Sequence, residues 1–333
     1  MVERKACGNL KTQNMDISNP PSIGSKELSF DEGGNRVRQI VETIVASEKD
    51  LRNILQNTED FGSGHGATRS IVRAFTPSGL LIDRQIGMFC REAEIPLAGD
   101  FGGLYLSYFS WNSPDRRSPN HVLEQERSII QDILKRPTKA PLTIFEKARD
   151  YSLESLKGEL DSIDYNRLRE MYRASFTSYP FDIEDSIKSM VQNEGYEVYA
   201  ARSKSDGLLY AVSVTEEVSL NLSNGKKFIM REMGDSAKMP ETNGLNAPLK
   251  LMLIERAFTD GVDLVFCESR AALPQVNAVN NDIGMRYCGL LMQHTKIGGE
   301  GIDEKSPYGN MNVWALNKDG IRKIGQEVNS LAL

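Results

Sequence analysis

The chain has few of the residues that build metal sites and disulfide frameworks. Its 333 residues include four cysteines and three histidines. They are spread along the sequence without any metal-ligand spacing: Cys7, Cys90, Cys267 and Cys288, with His65, His121 and His294. The sequence therefore predicts neither a bound metal nor a disulfide-stapled fold.

Long apolar runs and an excess of positive charge are also lacking. No apolar stretch approaches the ~20 residues that span a bilayer, and residues 1–16 lack the apolar core of a signal peptide. The net charge of −6 argues against broad binding to nucleic acid or to anionic membranes. We expect a cytoplasmic protein with a small-molecule partner and with no nucleic-acid or membrane partner. The sequence leaves open whether the chain forms a homodimer.

What the chain does have is enough apolar residues, 40%, to bury a sizeable core in about two modules. Polar residues interrupted by proline and glycine predict a loosely ordered tail over 1–34. Pro137 and Pro141 mark a linker. We assign 35–137 to an N-terminal α+β module of unassigned fold and role, and 138–333 to a second module.

The N-terminal module shows helical and strand patterns in turn. Apolar residues recur at spacings of three and four over 35–57, which predicts a helix. The glycine-rich stretch 62–66 predicts a hinge or a substrate-contacting loop, because it lacks the lysine of a P-loop. His65, in this stretch, is a candidate general base. The sequence shows no partner that would orient it, so the alternative is an ordinary surface histidine. Further patterns predict strands at 70–75 and 104–111 and a helix at 121–135.

The second module predicts an α+β sheet with one βαβ crossover. Its patterns indicate, in order, a strand at 142–145, helices at 165–175 and 183–192, strands at 196–202, 208–220 and 226–233, a helix from 247, a strand at 262–267, a helix or turn at 270–283, and strands at 287–295 and 311–316.

Within this module, residues 228–258 run from a strand through a turn into a helix. Asn246 is a plausible N-cap, and Pro248 suits the first helical turn. The N-terminus of a helix presents unpaired backbone N–H groups and the positive end of its dipole. Such a point binds phosphate groups without a charged side chain.

An ordered set of short segments resembles the GNAT acyltransferase superfamily, and more narrowly its β-lysine N-acetyltransferases. The segments are YRASF at 172–176, YPF at 179–181, EM at 232–233, MPE at 239–241, SRA at 269–271, GMRY at 284–287 and NMNVW at 310–314. The resemblance implies a GNAT-type mixed sheet with flanking helices over about 142–317. It also implies acetyl-CoA as acyl donor and a primary amine of a small amino-acid-like acceptor.

The family's pyrophosphate loop corresponds here to residues 241–247, so the resemblance implies cofactor contacts from Asn243, Gly244, Leu245, Asn246 and Ala247. Two positions depart from the family pattern, since an acidic residue opens the loop and asparagine stands where a second small residue is usual. Asparagine tolerates left-handed backbone better than most residues. The resemblance also gives Asn277 a hydrogen bond to the pantetheine arm, with the alternative that it caps a turn.

Acyl transfer to an amine requires a group that takes up the amine's proton. Glu232 matches a family carboxylate and is the first candidate for this base. Asp235 is the second candidate, or a contact for the acceptor's ammonium, and Glu216 and Glu217 are weaker ones. Asn280 stands where the family often places a tyrosine that protonates the leaving thiolate. The thiolate then leaves unassisted, or Tyr287 or a water protonates it.

Two other functions stay open. The chain is a GNAT enzyme that modifies a peptide or a biosynthetic intermediate, or it is a degenerate GNAT fold that serves as a binding or scaffold protein. The altered loop and the missing tyrosine favour the last alternative. Binding of acetyl-CoA separates the ligand-binding functions from the non-binding one.

Overall fold

One mixed β-sheet runs through both halves of the chain. The computed structural model describes residues 28–31, 35–77, 83–97, 103–111, 118–158, 160–175, 183–221, 227–296 and 308–318. The strands in these ranges are β1 (Ser29–Asp31), β2 (Arg36–Ile44), β3 (Arg69–Pro77), β4 (Gln85–Ile86), β5 (Phe89–Pro96), β6 (Gly103–Trp111), β7 (Tyr151–Ser155), β8 (Tyr196–Ser203), β9 (Leu209–Asn221), β10 (Lys227–Lys238), β11 (Leu264–Arg270), β12 (Arg286–Lys296) and β13 (Tyr308–Asn317).

Helices cover the sheet. They are α1 (Glu48–Gly64), α2 (Asn120–Leu134), α3 (Pro141–Phe145), α4 (Ser162–Ser175), α5 (Ile183–Gln192), α6 (Asn246–Thr259) and α7 (Pro274–Asp282), and a single 3-10 turn, Glu146–Ala148, follows α3. None of the helices in the described ranges is long and apolar enough to cross a membrane.

The strand order is β1-β2-β3-β6-β5-β12-β13-β11-β10-β9-β8-β7, with β4 beside β5. Two adjacent pairs along this order, β2–β3 and β10–β11, are parallel, and each is joined through a helix. The predicted α+β class is confirmed. From β7 onward the elements follow the order that the sequence predicted for a GNAT-type sheet, with β7 in place of the predicted first strand.

The sheet has a different core on each face of β10, β11 and β13. On one face, α2, α6 and α7 pack over residues such as Met233, Cys267 and Trp314. On the other face, the strands of the N-terminal half pack over Met230, Phe266 and neighbouring apolar residues. Side chains alternate along each strand, so successive residues of β10 enter different cores.

The predicted helix over 35–57 is wrong in its first half. Residues Arg36–Ile44 form strand β2, which pairs in parallel with β3, and α1 begins only at Glu48. Burial at Val37, Gln39 and Val41 alternates with period two, and β-branched residues favour a strand. The helix starts where Ser47 caps it by accepting a hydrogen bond from the backbone N–H of Asp50. This change adds a second βαβ crossover to the one predicted.

The predicted strand over 142–145 is also wrong. Pro141 occupies the first turn of the short helix α3, where its missing N–H costs nothing. The first strand of this half is β7, which pairs with β8 at the edge of the sheet. A four-residue apolar run does not distinguish a strand from a helical turn by its period.

The predicted boundary between the modules is crossed by sheet pairing. Gly289 of β12 lies opposite Ala93 of β5, and Thr43 of β2 lies opposite Asn221 of β9. Gly289 has φ +139°, and a Cβ atom there would lie 2.5 Å from the carbonyl oxygen of Glu92. Glycine therefore permits this close approach of the two halves. The division of the chain at 137/138 stays a prediction.

Other N-terminal predictions fall partly within the described residues. Ser29–Asp31, inside the predicted tail, forms β1 against β2, and residues 1–27 and 32–34 lie outside the described ranges. The glycine-rich stretch ends α1 rather than forming a separate loop. His65 is exposed and stacks on Phe61 at a centroid distance of 4.1 Å, in line with a surface role.

Candidate active site

Strands β10 and β11 diverge in the middle of the sheet. Their parallel pairing runs from Met230↔Leu264 to Met233↔Cys267 and stops there, although β10 continues to Lys238 and β11 to Arg270. A bulge in β10 follows between Gly234 and Ala237. The backbone of β10 beyond Met233 is therefore not paired with β11. We call the gap between these two strand ends the cleft; the strand backbone that borders it keeps hydrogen-bonding capacity for a ligand.

The loop before α6 supplies the helix N-terminus that the sequence predicted. Gly244 has φ +88°, a left-handed conformation that suits glycine. The N-cap is Leu245, whose side chain is buried in the core and makes no capping hydrogen bond, so the predicted cap Asn246 instead opens the helix. Asn246 Oδ1 and Thr242 Oγ1 are buried without a hydrogen-bond partner in the described part of the chain. The loop thus holds unused donor and acceptor capacity.

Two lysines lie against this loop. Lys238 Nζ donates to the carbonyl oxygen of Thr242 at 2.5 Å, and a Cβ atom on Gly244 would lie 3.0 Å from Cδ of Lys147. Glu241, the acidic departure from the family pattern, has its carboxylate 3.8 Å from Arg167. The negative charge of Glu241 is therefore partly balanced by Arg167, and the cations that favour an anion come from outside the loop.

Glu232 lies on β10, one residue before the strands diverge, on the face that contacts the N-terminal half. Its carboxylate is 3.7 Å from the guanidinium of Arg73, and its side chain is 29% exposed. Burial and the carboxylate of Glu268 raise the pKa of Glu232 to about 7, against the lowering effect of Arg73. A carboxylate with a pKa near neutrality can both accept and release a proton there.

Glu268, on β11, has the opposite property. It forms an ion pair with Arg73, and its other carboxylate oxygen lies 3.1 Å from Nε2 of His294. Burial alone would raise the pKa of Glu268, but Arg73 and His294 outweigh it and hold the pKa below its usual range. Burial lowers the pKa of His294 well below its ordinary value. Two neighbouring carboxylates are therefore pushed apart in pKa, as acid–base sites require.

The other acidic candidates are less favourably placed. Asp235 lies on β10 in the bulge, and its side chain lies outside the described part of the structure. Glu216 of β9 is exposed, is paired in register with Glu232, and contributes to raising its pKa. Glu217 is directed to the other side, 3.9 Å from Arg231. Among the candidates whose side chains are described, Glu232 is the least exposed.

The predicted cofactor contact Asn277 is fully buried and occupied by internal hydrogen bonds. Its Nδ2 donates to the carbonyl oxygens of Arg270 and Leu273, both at 2.8 Å. Its Oδ1 accepts from Asn312 Nδ2 at 2.9 Å and from Trp314 Nε1 at 3.0 Å. This arrangement favours the alternative interpretation, in which Asn277 fixes the turn before α7.

Asn280 and Tyr287 lie with Asn277 on the α6–α7 side of the sheet. Asn280 accepts from Lys250 Nζ at 2.8 Å and donates to Ser269 at 2.8 Å. Tyr287 packs edge-on against Trp314 at 5.6 Å, and burial raises its pKa to about 12. Glu232 therefore lies next to the point where β10 and β11 separate, and Tyr287 lies on the other face of the sheet.

The sequence interpretation missed three residues of this cluster: Arg73, Glu268 and His294. A signal was present, because β11 alternates Leu264, Phe266 and Glu268 toward one core. A charged residue at an inward position of an apolar strand is buried at a cost unless it is paired. Lys147 and Lys238 carried no comparable signal, since lysine is usual at the surface.

A scan against protein-family models finds no match, and neither does a search of curated proteins. Among solved structures, an N-acetyltransferase from Staphylococcus aureus is 12% identical, covering 50% of this chain and 97% of that one, with a TM-score of 0.37. An acetyltransferase from Bacillus subtilis in complex with CoA is 17% identical, covering 50% and 98%, with a TM-score of 0.37. A GNAT superfamily phosphinothricin acetyltransferase from Sinorhizobium meliloti in complex with acetyl-CoA is 16% identical, covering 50% and 88%, with a TM-score of 0.39. Each of these three acetyltransferases is thus similar to half of this chain over most of its own length.

Proposed function

We propose that this chain is an acetyl-CoA-dependent N-acyltransferase in which Glu232 is the general base. The observation that carries the proposal is the position of Glu232. It stands at the point where β10 and β11 diverge, with a pKa raised to about 7. An attacking amine must lose a proton, and a partly exposed carboxylate in this pKa range removes it directly or through water.

The residues of the α6 loop fit the diphosphate of acetyl-CoA. Backbone N–H groups of residues 244–247 point from the helix N-terminus. The ammonium group of Lys238 and the aliphatic stem of Lys147 lie beside the loop. Buried polar atoms of Asn246 and Thr242 lack partners among the described residues. Acetyl-CoA supplies the activated acyl thioester. The unpaired backbone of β10 offers an N–H group for the oxyanion.

For the acceptor we propose the primary amine of a small amino-acid-like molecule, such as β-lysine. Glu232 and the exposed Glu216 supply negative charge for an ammonium group, and Arg38, exposed on β2 and electrostatically coupled to Glu232, supplies positive charge for a carboxylate. These charges match a zwitterion. A peptide or biosynthetic intermediate presents an amine with a different arrangement of charge and is the alternative acceptor.

Release of free thiol from acetyl-CoA against a panel of amines tests the proposal. The panel contains lysine, β-lysine, ornithine and polyamines. We expect amine-dependent release that is greatest with the zwitterionic amines. Release with polyamines alone would contradict the amino-acid-like acceptor. If no amine of the panel causes thiol release and acetyl-CoA does not stabilise the chain against heat, the scaffold alternative is favoured.

A further inference from the structure

Arg73 connects the N-terminal strands to the two carboxylates of the cleft. It lies on β3, its Nη2 atom forms the ion pair with Glu268, and its Nη1 atom is 3.7 Å from Glu232. One guanidinium therefore bridges residues of β10 and β11 at the level where the two strands diverge. Its fork of fixed donors suits simultaneous contact with two carboxylates better than a lysine would.

Arg73 binds Glu268 more closely than it binds Glu232. Glu268 is bound by Arg73 and by His294, whose backbone carbonyl in turn accepts a hydrogen bond from Arg36 of β2. Among the described residues, Glu232 forms one ion pair, the longer contact to Arg73, and its side chain is more exposed than that of Glu268. Arg73 and Glu268 are thus held in place at the junction, by which we mean the contact between the N-terminal strands and β10–β12. Glu232 borders the cleft, and Arg73 balances its negative charge only in part.

We propose that Arg73 is a positioning residue for Glu232, supplied across the junction by the N-terminal strands, so that these strands are part of the catalytic unit. This inference rests on the proposed role of Glu232 as the base. It assigns a function to a region that the resemblance does not cover, since Arg73 holds the carboxylate in place and limits the cost of its negative charge.

Several groups set the titration of Glu232, and each has a known direction. Arg73 and Arg38 favour the carboxylate, and Glu268 and Glu216 disfavour it. Tyr105 of β6 hydrogen-bonds with Arg73, and His294 of β12 contacts Glu268. Removing the charge of Arg73 leaves Arg38 to oppose burial and the two carboxylates, so Glu232 holds its proton more tightly.

The experiment is a carboxyl ¹³C NMR titration of the full chain labelled at glutamate, without acetyl-CoA. The Glu232 resonance is identified by its loss in Glu232→Gln. We expect Arg73→Met to raise the pKa of Glu232 by about 1 or more, and Arg73→Lys to keep it within about 0.5 of the native value. Arg91→Met is the matched control, because Arg91 lies on β5 of the same half and pairs with Glu94. It leaves the pKa of Glu232 unchanged.

An unchanged Glu232 titration in folded Arg73→Met overturns the inference. Where Arg73→Met does not fold, Arg73→Gln decides, since it removes the charge and keeps a hydrogen-bond donor for Glu268. A rise of about 1 in the pKa of Glu232 supports the inference, and no rise overturns it. The titration needs no acyl donor. If the chain shows no acyl transfer but Arg73→Met still shifts the pKa of Glu232, the proposed function is contradicted and the link between Arg73 and Glu232 stands.

Discussion

The two faces of the sheet at β10 and β11 carry polar residues of different character. The face toward the N-terminal strands holds Glu232, Glu268 and Arg73, whose charges are only partly matched. The α6–α7 face holds Asn277, Asn312 and neighbouring neutral groups, whose hydrogen bonds are made internally. Neutral groups with complete hydrogen bonding stabilise one structure. Charges with incomplete pairing are able to change protonation state.

In the proposed function, the first face supplies the acid–base residue and the second face stabilises the fold. A resemblance based on short segments does not make that separation, because both kinds of residue occur in the same motifs. The burial and partners of each side chain do make it. The following changes test the separation, beginning with the largest expected effect.

Replacing the base should have the largest effect. We expect Glu232→Gln to lower kcat by about 10²- to 10⁴-fold, because the amine loses its proton acceptor, with little change in affinity for acetyl-CoA. Steady-state kinetics and a binding titration measure the two quantities. Glu217→Gln is the control, since this neighbour pairs with Arg231 rather than facing the cleft. Equal losses in both variants would remove Glu232 from its role.

The junction that forms the charged face depends on Gly289. A methyl group at this position would lie 2.5 Å from the Glu92 carbonyl oxygen, so Gly289→Ala forces β5 and β12 apart. We expect the free energy of unfolding to fall by about 2–4 kcal/mol in denaturant titrations. Gly261→Ala also has positive φ but no close atoms, and it should cost only about 1 kcal/mol. Similar losses in the two variants would mean that the close approach at Gly289 adds no cost of its own to the substitution.

On the α6–α7 face, Asn277 should matter for stability rather than for binding. Asn277→Ala leaves the buried N–H of Trp314 and the amide of Asn312 without their acceptor. We expect a loss of about 1–3 kcal/mol in the free energy of unfolding, with affinity for acetyl-CoA nearly unchanged in the folded variant. A stable variant that no longer binds acetyl-CoA would restore Asn277 as a cofactor contact.

The smallest effect is expected at Tyr287. Its ring packs on Trp314 away from Glu232, and its pKa of about 12 makes it a weak proton donor. We expect Tyr287→Phe to lower kcat by less than about threefold, because a thiolate of low pKa leaves without a strong acid. A loss of about 10²-fold with unchanged stability would instead make Tyr287 the leaving-group donor.

The sequence predicted local features better than the relations between distant segments. The period of α6, the strand β10 and the glycine of the loop are encoded locally, and they were found. The strand β2 was missed because its apolar spacing also fits a helix, and only pairing with β3 decides. Arg73 and Glu268 are 195 positions apart, so no local pattern shows that they meet. Pairing across the two halves is a property of the folded sheet.

The most direct measurement is the pH dependence of kcat/KM for amine-dependent thiol release, compared between the native chain and Glu232→Gln. The base acts when deprotonated, and burial raises its pKa, so activity rises with pH. We expect a limb with an apparent pKa of about 7 in the native chain, distinct from the ionisation of the amine at higher pH. We expect this limb to be absent in Glu232→Gln. The same limb in both proteins would contradict the account.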